Sequence, residues 1–162
     1  MAFTFQQPGT KKLLKALDSA ARKAVCGVGV FAFATKGGIE ALLACPNIIY
    51  MLEHQRPFHL IVGVDAITNV ESLLYLSEKV YLYKGALKAN VFFHGTPGNT
   101  FHPKFSWFIQ GNVLKLLTGS GNLTLSGLGK FPTKGSQFGN WEAFCESACN
   151  NDPLRGVIGV QN

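Results

Sequence analysis

Charge is what this sequence has least of. Only 15% of its 162 residues are charged, against about 25% in ordinary soluble chains. Acid is the scarcer sign, with nine Asp and Glu against fifteen Lys and Arg. At 47% hydrophobic residues, the composition excludes a disordered chain and a coiled coil. The four cysteines, Cys26, Cys45, Cys145 and Cys149, form no CxxC pair and have no histidine at zinc-ligand spacing. They read as buried, reduced thiols, neither a zinc site nor a disulfide framework. Cys145 and Cys149 would face each other only on a helix, and a strand is expected there. No apolar run is long enough to cross a bilayer; the longest, Ala24 to Ala34, is broken by Gly27 and Gly29. The opening MAFTFQQPGTKK lacks a basic segment followed by an apolar one, so a soluble, cytoplasmic chain with no membrane association is expected.

What is present is positive charge. The net charge is +6 and the pI about 9.3, which favours an anionic partner such as nucleic acid or phosphate. An apolar chain short of charge also tends to hide surface in an oligomer, and self-association is expected on that ground. There is no internal repeat, low-complexity tract or clear linker, so residues 1–162 read as one domain.

Thr10 can cap a helix over Lys11 to Ala24, with an apolar stripe at Leu13, Leu14, Leu17, Ala21 and Ala24. Val25 to Thr35 (VCGVGVFAFAT) reads as a buried strand, and Gly37-Gly38 turns into a short helix ending before Pro46. Phe58 to Val64 is a second buried strand. Thr68-x-x-Glu71 is a capping box opening a helix through Glu78. Lys79 to Lys84 and Val91 to His94 read as two more strands, and Phe101–Ile109 with Asn112–Thr118 as a hairpin about Gln110-Gly111. The order predicts an α/β fold with a mixed sheet.

The chemistry is concentrated in Phe101 to Leu128, FHPKFSWFIQGNVLKLLTGSGNLTLSGL. His102 and Lys104 lie two apart, which on a strand puts both on one face. The next strand ends in Gly119-Ser120-Gly121-Asn122, where glycines let backbone approach an anion and Ser120 and Asn122 add polar donors. The hairpin brings these ends together, so imidazole, ammonium, hydroxyl and amide would share one phosphate site. His54, His59 and His94 stand alone and read as structural. Trp107 and Trp141 read as core or interface aromatics, with Trp141 also able to line the cleft. Lys115, Lys130 and Lys134 read as solvated, although Lys130 and Lys134 follow the motif closely enough to track a DNA backbone.

His102-Pro-Lys104, Gly119-Ser120-Gly121-Asn122-Leu123-Thr124 and Gly127-Leu128 resemble the phospholipase D superfamily, most of all its nuclease branch, which includes metal-independent restriction endonucleases. Asn140-Trp141-Glu142 resembles that branch's Asn-x-Glu segment. In the N-terminal half, Val25 to Ile39 and Ile61 to Leu76 look like its first strands and helix. The superfamily's fuller motif places Asp five residues after the Lys. Ile109 stands there, a departure that favours nuclease over lipase. Lipases of the family usually carry two HxK motifs in one chain; here there is one, so a complete site would need a homodimer.

The resemblance implies a phospholipase D-like mixed sheet flanked by helices. It further implies a nuclease acting on nucleic acid, DNA by expectation, through a phosphohistidine. His102 would be the nucleophile in one protomer and the general acid and base in the other. Lys104, Ser120 and Asn122 would hold the phosphate, and Glu142 would partner an imidazole N–H. With ammonium groups in a metal's place and no carboxylate cluster at ligand spacing, no metal and no cofactor are expected. Two alternatives stand beside this reading: a lipid-acting hydrolase or transferase, and a non-catalytic nucleic-acid-binding module. Restriction enzymes of this branch resemble fusions to a recognition domain, and no remaining segment is long enough to be one. Cleavage is then nonspecific, or recognition comes from another chain, or the chain is a fragment.

Overall fold

A computed structural model describes residues 1–64, 67–93, 95–96, 100–130 and 140–150. Its elements, in chain order, are β1 (Ala2–Gln6), α1 (Lys12–Ala21), β2 (Cys26–Phe31), α2 (Lys36–Leu43), α3 (Pro46–Glu53), β3 (Phe58–Gly63), α4 (Val70–Leu82), β4 (Leu87–Phe92), β5 (Lys104–Gln110), β6 (Val113–Gly119) and β7 (Glu142–Asn150). The strands form one seven-stranded sheet in the order β1-β7-β6-β5-β2-β3-β4. The β2–β3 and β3–β4 pairs are parallel, and the other pairs are antiparallel. The expected mixed α/β sheet flanked by helices is observed.

Handedness explains where the helices go. Each of the connections β1–α1–β2, β2–α2–α3–β3 and β3–α4–β4 links parallel strands and moves the same way across the sheet. Right-handed crossovers therefore stack their helices on one face. The burial pattern agrees: Phe31, Phe58, Leu60, Val62, Leu87, Phe108, Leu117 and Phe144 lie in one core cluster with the helical stripe Leu13, Leu17, Ala20 and Ala21. The alternate strand positions Val28, Ile61, Trp107 and Leu116 are only half-buried. Gly27 is part of this packing. A Cβ there would stand 2.5 Å from the Phe108 ring, which stacks on Phe58 at 5.9 Å and 9°.

Local details depart from expectation where long-range contacts win. Thr10 does not cap α1; its hydroxyl donates to Gln7 O at 2.7 Å, and Lys11 stands at the N-cap with φ 53°. The free Leu13 N–H is taken instead by Gln6 Oε1 at 2.7 Å. Gln6 is fully buried, and its Nε2 donates to Gly127 O at 2.9 Å. At α4 the cap is Asn69, whose side chain accepts from Ser72 N at 2.9 Å. Thr68, one residue early, accepts from Ala34 N at 3.0 Å.

Lys79–Lys84 is not a strand. The run KVYLYK alternates like one, but it continues the helical face, and Val80 and Tyr83 pack on the core. The strand expected at Val91–His94 begins earlier, at Leu87, and His94 lies outside the described residues. Two elements had no sequence expectation: β1, which sits on the sheet edge beside β7, and α3, which starts at Pro46. Proline suits a first helical position because its missing N–H has no partner to lose there. The hairpin expected about Gln110-Gly111 is present, with Gly111 at φ 57°. The region of Cys145 and Cys149 is a strand, and all four thiols are free, but of the four only Cys45 is buried; Cys26 and Cys145 are half-buried and Cys149, at the end of edge-side β7, is exposed. No described helix is long and apolar enough to cross a membrane.

Candidate active site

The parallel strands end on one rim of the sheet, and the registers bring the remaining site segments to it. Phe31 at the end of β2 pairs with Lys104, Gly119 at the end of β6 pairs with Phe144, and Gln6 at the end of β1 pairs with Glu142. His102, Lys104, Ser120, Asn122 and Glu142 thus come to one rim from three stretches of chain.

His102 is exposed and lies two residues before β5. Its ring meets Phe33 edge-on at 6.0 Å between centroids. The Lys104 ammonium is 3.0 Å from Nδ1 and 3.1 Å from Nε2 of His102, and it donates to the His102 carbonyl at 3.2 Å. A donor aligned with one ring lone pair cannot be equally close to the other nitrogen. The ammonium therefore lies against the ring without selecting a tautomer. Desolvation pulls the Lys104 pKa below its ordinary value, and the Glu142 charge acts in the opposite sense. The expected pairing of His102 with Lys104 is present, although His102 itself precedes the strand.

Ser120 and Glu142 are bonded directly. The Ser120 hydroxyl donates to Glu142 Oε2 and accepts from the Ala143 N–H at 3.0 Å. The Ser120 backbone N–H donates to Ala143 O at 2.9 Å. Asn140 Nδ2 donates to the other carboxylate oxygen of Glu142 at 3.1 Å. Glu142 is 9% exposed, so these bonds replace much of its lost water. Within one chain the described bonds of Glu142 go to Ser120 and Asn140, not to His102. The Ser120 hydroxyl proton is committed to the carboxylate.

Asn122 faces the other way. Its Oδ1 accepts from Phe33 N at 3.3 Å, and its Nδ2 has no hydrogen-bond partner among the described residues. The surrounding turn is stitched to the end of β2 by Leu123 N to Phe33 O at 3.0 Å and Thr35 N to Leu123 O at 3.0 Å. The glycines of this segment are set by the protein's own packing. A Cβ at Gly119 would meet Ala143 O at 2.5 Å, and one at Gly121 would meet Leu13 at 2.5 Å.

Phe33 and Asn140 complete the site. Asn140 was visible in its Asn-x-Glu spacing. Phe33 was not, because its contact spans 69 positions of sequence and no local pattern encodes that. Lys130 is described and borders a groove with Lys11, Lys15 and Asp18; Lys134 lies outside the described residues. No cluster of three or more potential metal-ligating side chains occurs among the described residues.

No family model matches the chain, and no curated protein matches its sequence. Among solved structures, the fold is similar to that of polyphosphate kinase from Porphyromonas gingivalis, with a TM-score of 0.54 and 16% identity, covering 96% of this chain and 24% of that one. The chain spans about a quarter of that enzyme's length. The likeness defines the class of fold, a mixed α/β sheet shared with a phosphate-handling enzyme.

Proposed function

We propose that this chain is a phospholipase D-like, metal-independent phosphodiesterase of the nuclease branch, cleaving nucleic acid, DNA first among candidates, in a site completed by a second copy. The observation that carries this reading is the exposed His102 imidazole with an ammonium 3.0 Å away, beside the Ser120–Glu142–Asn140 network on the neighbouring strand ends. An exposed imidazole is free to attack, and a cation beside it can take the charge of a phosphodiester. The fold it shares with a phosphoryl-transfer enzyme accords with that chemistry.

In the proposed reaction, His102 of one protomer attacks phosphorus and a P–N bond forms as the P–O bond to the leaving group breaks. His102 of the second copy gives its proton to the leaving oxygen. It then removes a proton from water, whose oxygen attacks phosphorus and releases the first imidazole. Lys104 neutralises the non-bridging oxygens, and Asn122 Nδ2 supplies a directed donor. Glu142 holds Ser120 and Asn140 in its own chain and presents negative charge to the imidazolium arriving from the second copy.

The test is cleavage of plasmid and single-stranded DNA in EDTA, wild type beside His102→Ala. Persistence in EDTA and loss with the substitution support the reading, as does an acid-labile phosphoprotein trapped during turnover. Salt-dependent binding without cleavage would overturn it in favour of a binding module. Turnover of phospholipid but of no nucleic acid would favour a lipid substrate.

A further inference from the structure

The rim that carries His102 also carries bare aromatic rings. Trp141, immediately before β7 and next to Glu142, is 69% exposed. At the far end of the rim, Phe93, just after β4, is 74% exposed. Beside it Phe92 stacks on Phe101, 4.4 Å between centroids and 23° apart, and Phe101 immediately precedes His102. A Cβ at Gly63 would stand 2.8 Å from the Phe101 ring, so glycine at the end of β3 lets that ring settle across the rim. The other strongly exposed phenylalanines, Phe3 and Phe5, meet each other edge-on along β1. Tyr81 on α4 is also bare, but the rim rings differ from it and from the β1 pair in bracketing the His102–Lys104 centre on both sides.

Strand order fixes the spacing. From β7 to β4 the sheet runs β7-β6-β5-β2-β3-β4. Those five steps, at about 4.8 Å each, span roughly 24 Å. His102 and Lys104 sit between the two aromatic ends. Lys11, Lys15 and Lys130 border a groove at the α1 side. A cationic centre with exposed rings on both flanks is the arrangement of a stacking platform for unpaired bases, and such grooves take about 4–16 nucleotides. A duplex would gain little from these rings, because its bases already stack on one another and their faces are hidden.

We infer that Trp141 on one side and Phe93, with the Phe92–Phe101 pair, on the other form a base-stacking shelf that makes single-stranded nucleic acid the ligand of this rim. The inference rests on the nucleic-acid reading above but not on catalysis. The bases would stack on the rings while their phosphates cross the His102–Lys104 centre. Selection would then be for strandedness and not for sequence, since every base offers a π-face.

The experiment is fluorescence anisotropy with a labelled oligothymidylate, an abasic oligomer of equal length and a duplex, using His102→Ala protein to prevent cleavage. The expected order is oligothymidylate tightest, with abasic oligomer and duplex weaker by about tenfold or more. Trp141→Ala and Phe93→Ala should each weaken oligothymidylate about five- to a hundredfold and leave abasic binding unchanged. Trp141→Phe should recover most of the loss, and unchanged melting temperatures would show that the variants fold. Equal affinity for based and abasic strands, tighter binding of duplex, no binding of any strand, or alanine variants that bind like the parent would each overturn the shelf. The two readings fail separately. Cleavage in EDTA with no preference for bases keeps the nuclease and removes the shelf, whereas base-dependent binding by a protein that cleaves nothing keeps the shelf and removes the nuclease.

Discussion

Ser120 and Glu142, 22 positions apart in sequence, are hydrogen-bonded across the ends of β6 and β7, the Ser120 hydroxyl donating to the Glu142 carboxylate. A group expected to hold phosphate is thereby tied to a group expected to hold an imidazole. Ser120 fixes the orientation of the carboxylate from one side while Asn140 fixes it from the other.

This relationship separates two substitutions. Ser120→Ala removes one of two side-chain bonds from a nearly buried carboxylate and should lower stability by about 1–3 kcal/mol. Glu142→Gln keeps the shape and can still accept from Ser120, but its Nε2 then faces the Asn140 amide, which must turn its Oδ1 inward to accept; the loss of stability should stay below about 2 kcal/mol, while kcat falls about a hundredfold because the negative charge is gone. Thermal denaturation beside nuclease kinetics measures both.

Lys104 gives a pH prediction. Desolvation lowers its pKa, so the ammonium needed to neutralise phosphate is lost at a lower pH than for an ordinary lysine. The alkaline limb of the rate profile should fall correspondingly early. Lys104→Arg, which stays charged, should be slower but should lack that limb. Lys104→Met should cost about a hundred- to a thousandfold at neutral pH. Steady-state rates across the pH range decide the matter.

Gln6 ties three segments together. Replacing it with leucine leaves the Leu13 N–H and the Gly127 carbonyl without partners in a fully buried place. A loss of about 2–4 kcal/mol is expected, read from the denaturant midpoint. Glu71→Ala is the contrast. Its ion pair with Lys36 is 3.0 Å long, but both side chains are about half exposed or more, so the change should stay within about 1 kcal/mol.

Gly38 tests the link between core and site. A Cβ there would fall 2.0 Å from the Leu123 carbonyl oxygen, and backbone cannot yield as a flexible side chain can. Gly38→Ala should push away the turn carrying Asn122, costing about 1–3 kcal/mol or more in stability together with activity. Melting and cleavage should fall together, unlike the Glu142→Gln case.

Much of this was legible in the residues. Periodicity found β2, β3, β5 and β6, because each is a dense apolar or alternating run bounded by turn residues. HxK with GSGN anticipated that His102, Lys104, Ser120 and Asn122 share one rim, because the β5–β6 hairpin is local and delivers both ends there. What could not be read depends on distant partners. The N-cap of α1 is supplied by a glutamine from the preceding strand, and the end of α4 looks like a strand until the core claims Val80 and Tyr83. Strand β1 pairs with residues some 140 positions away, and nothing local distinguishes it from a loose terminus. The partner of Glu142 is likewise a matter of register between β6 and β7, which spacing alone does not set.

That pairing of first strand with last has a consequence for how the protein is made. Residues 2–6 leave the ribosome well over a hundred residues ahead of their neighbours in the sheet, Glu142–Glu146. At about 5–20 residues per second, β1 waits several seconds or longer for its partner. His102 and Lys104 emerge well before Glu142, so a nascent chain holds the imidazole and the ammonium before the carboxylate of the same rim. The order of synthesis leaves this rim without Glu142 until the polypeptide reaches β7, when that strand joins β6 to β1 in the sheet.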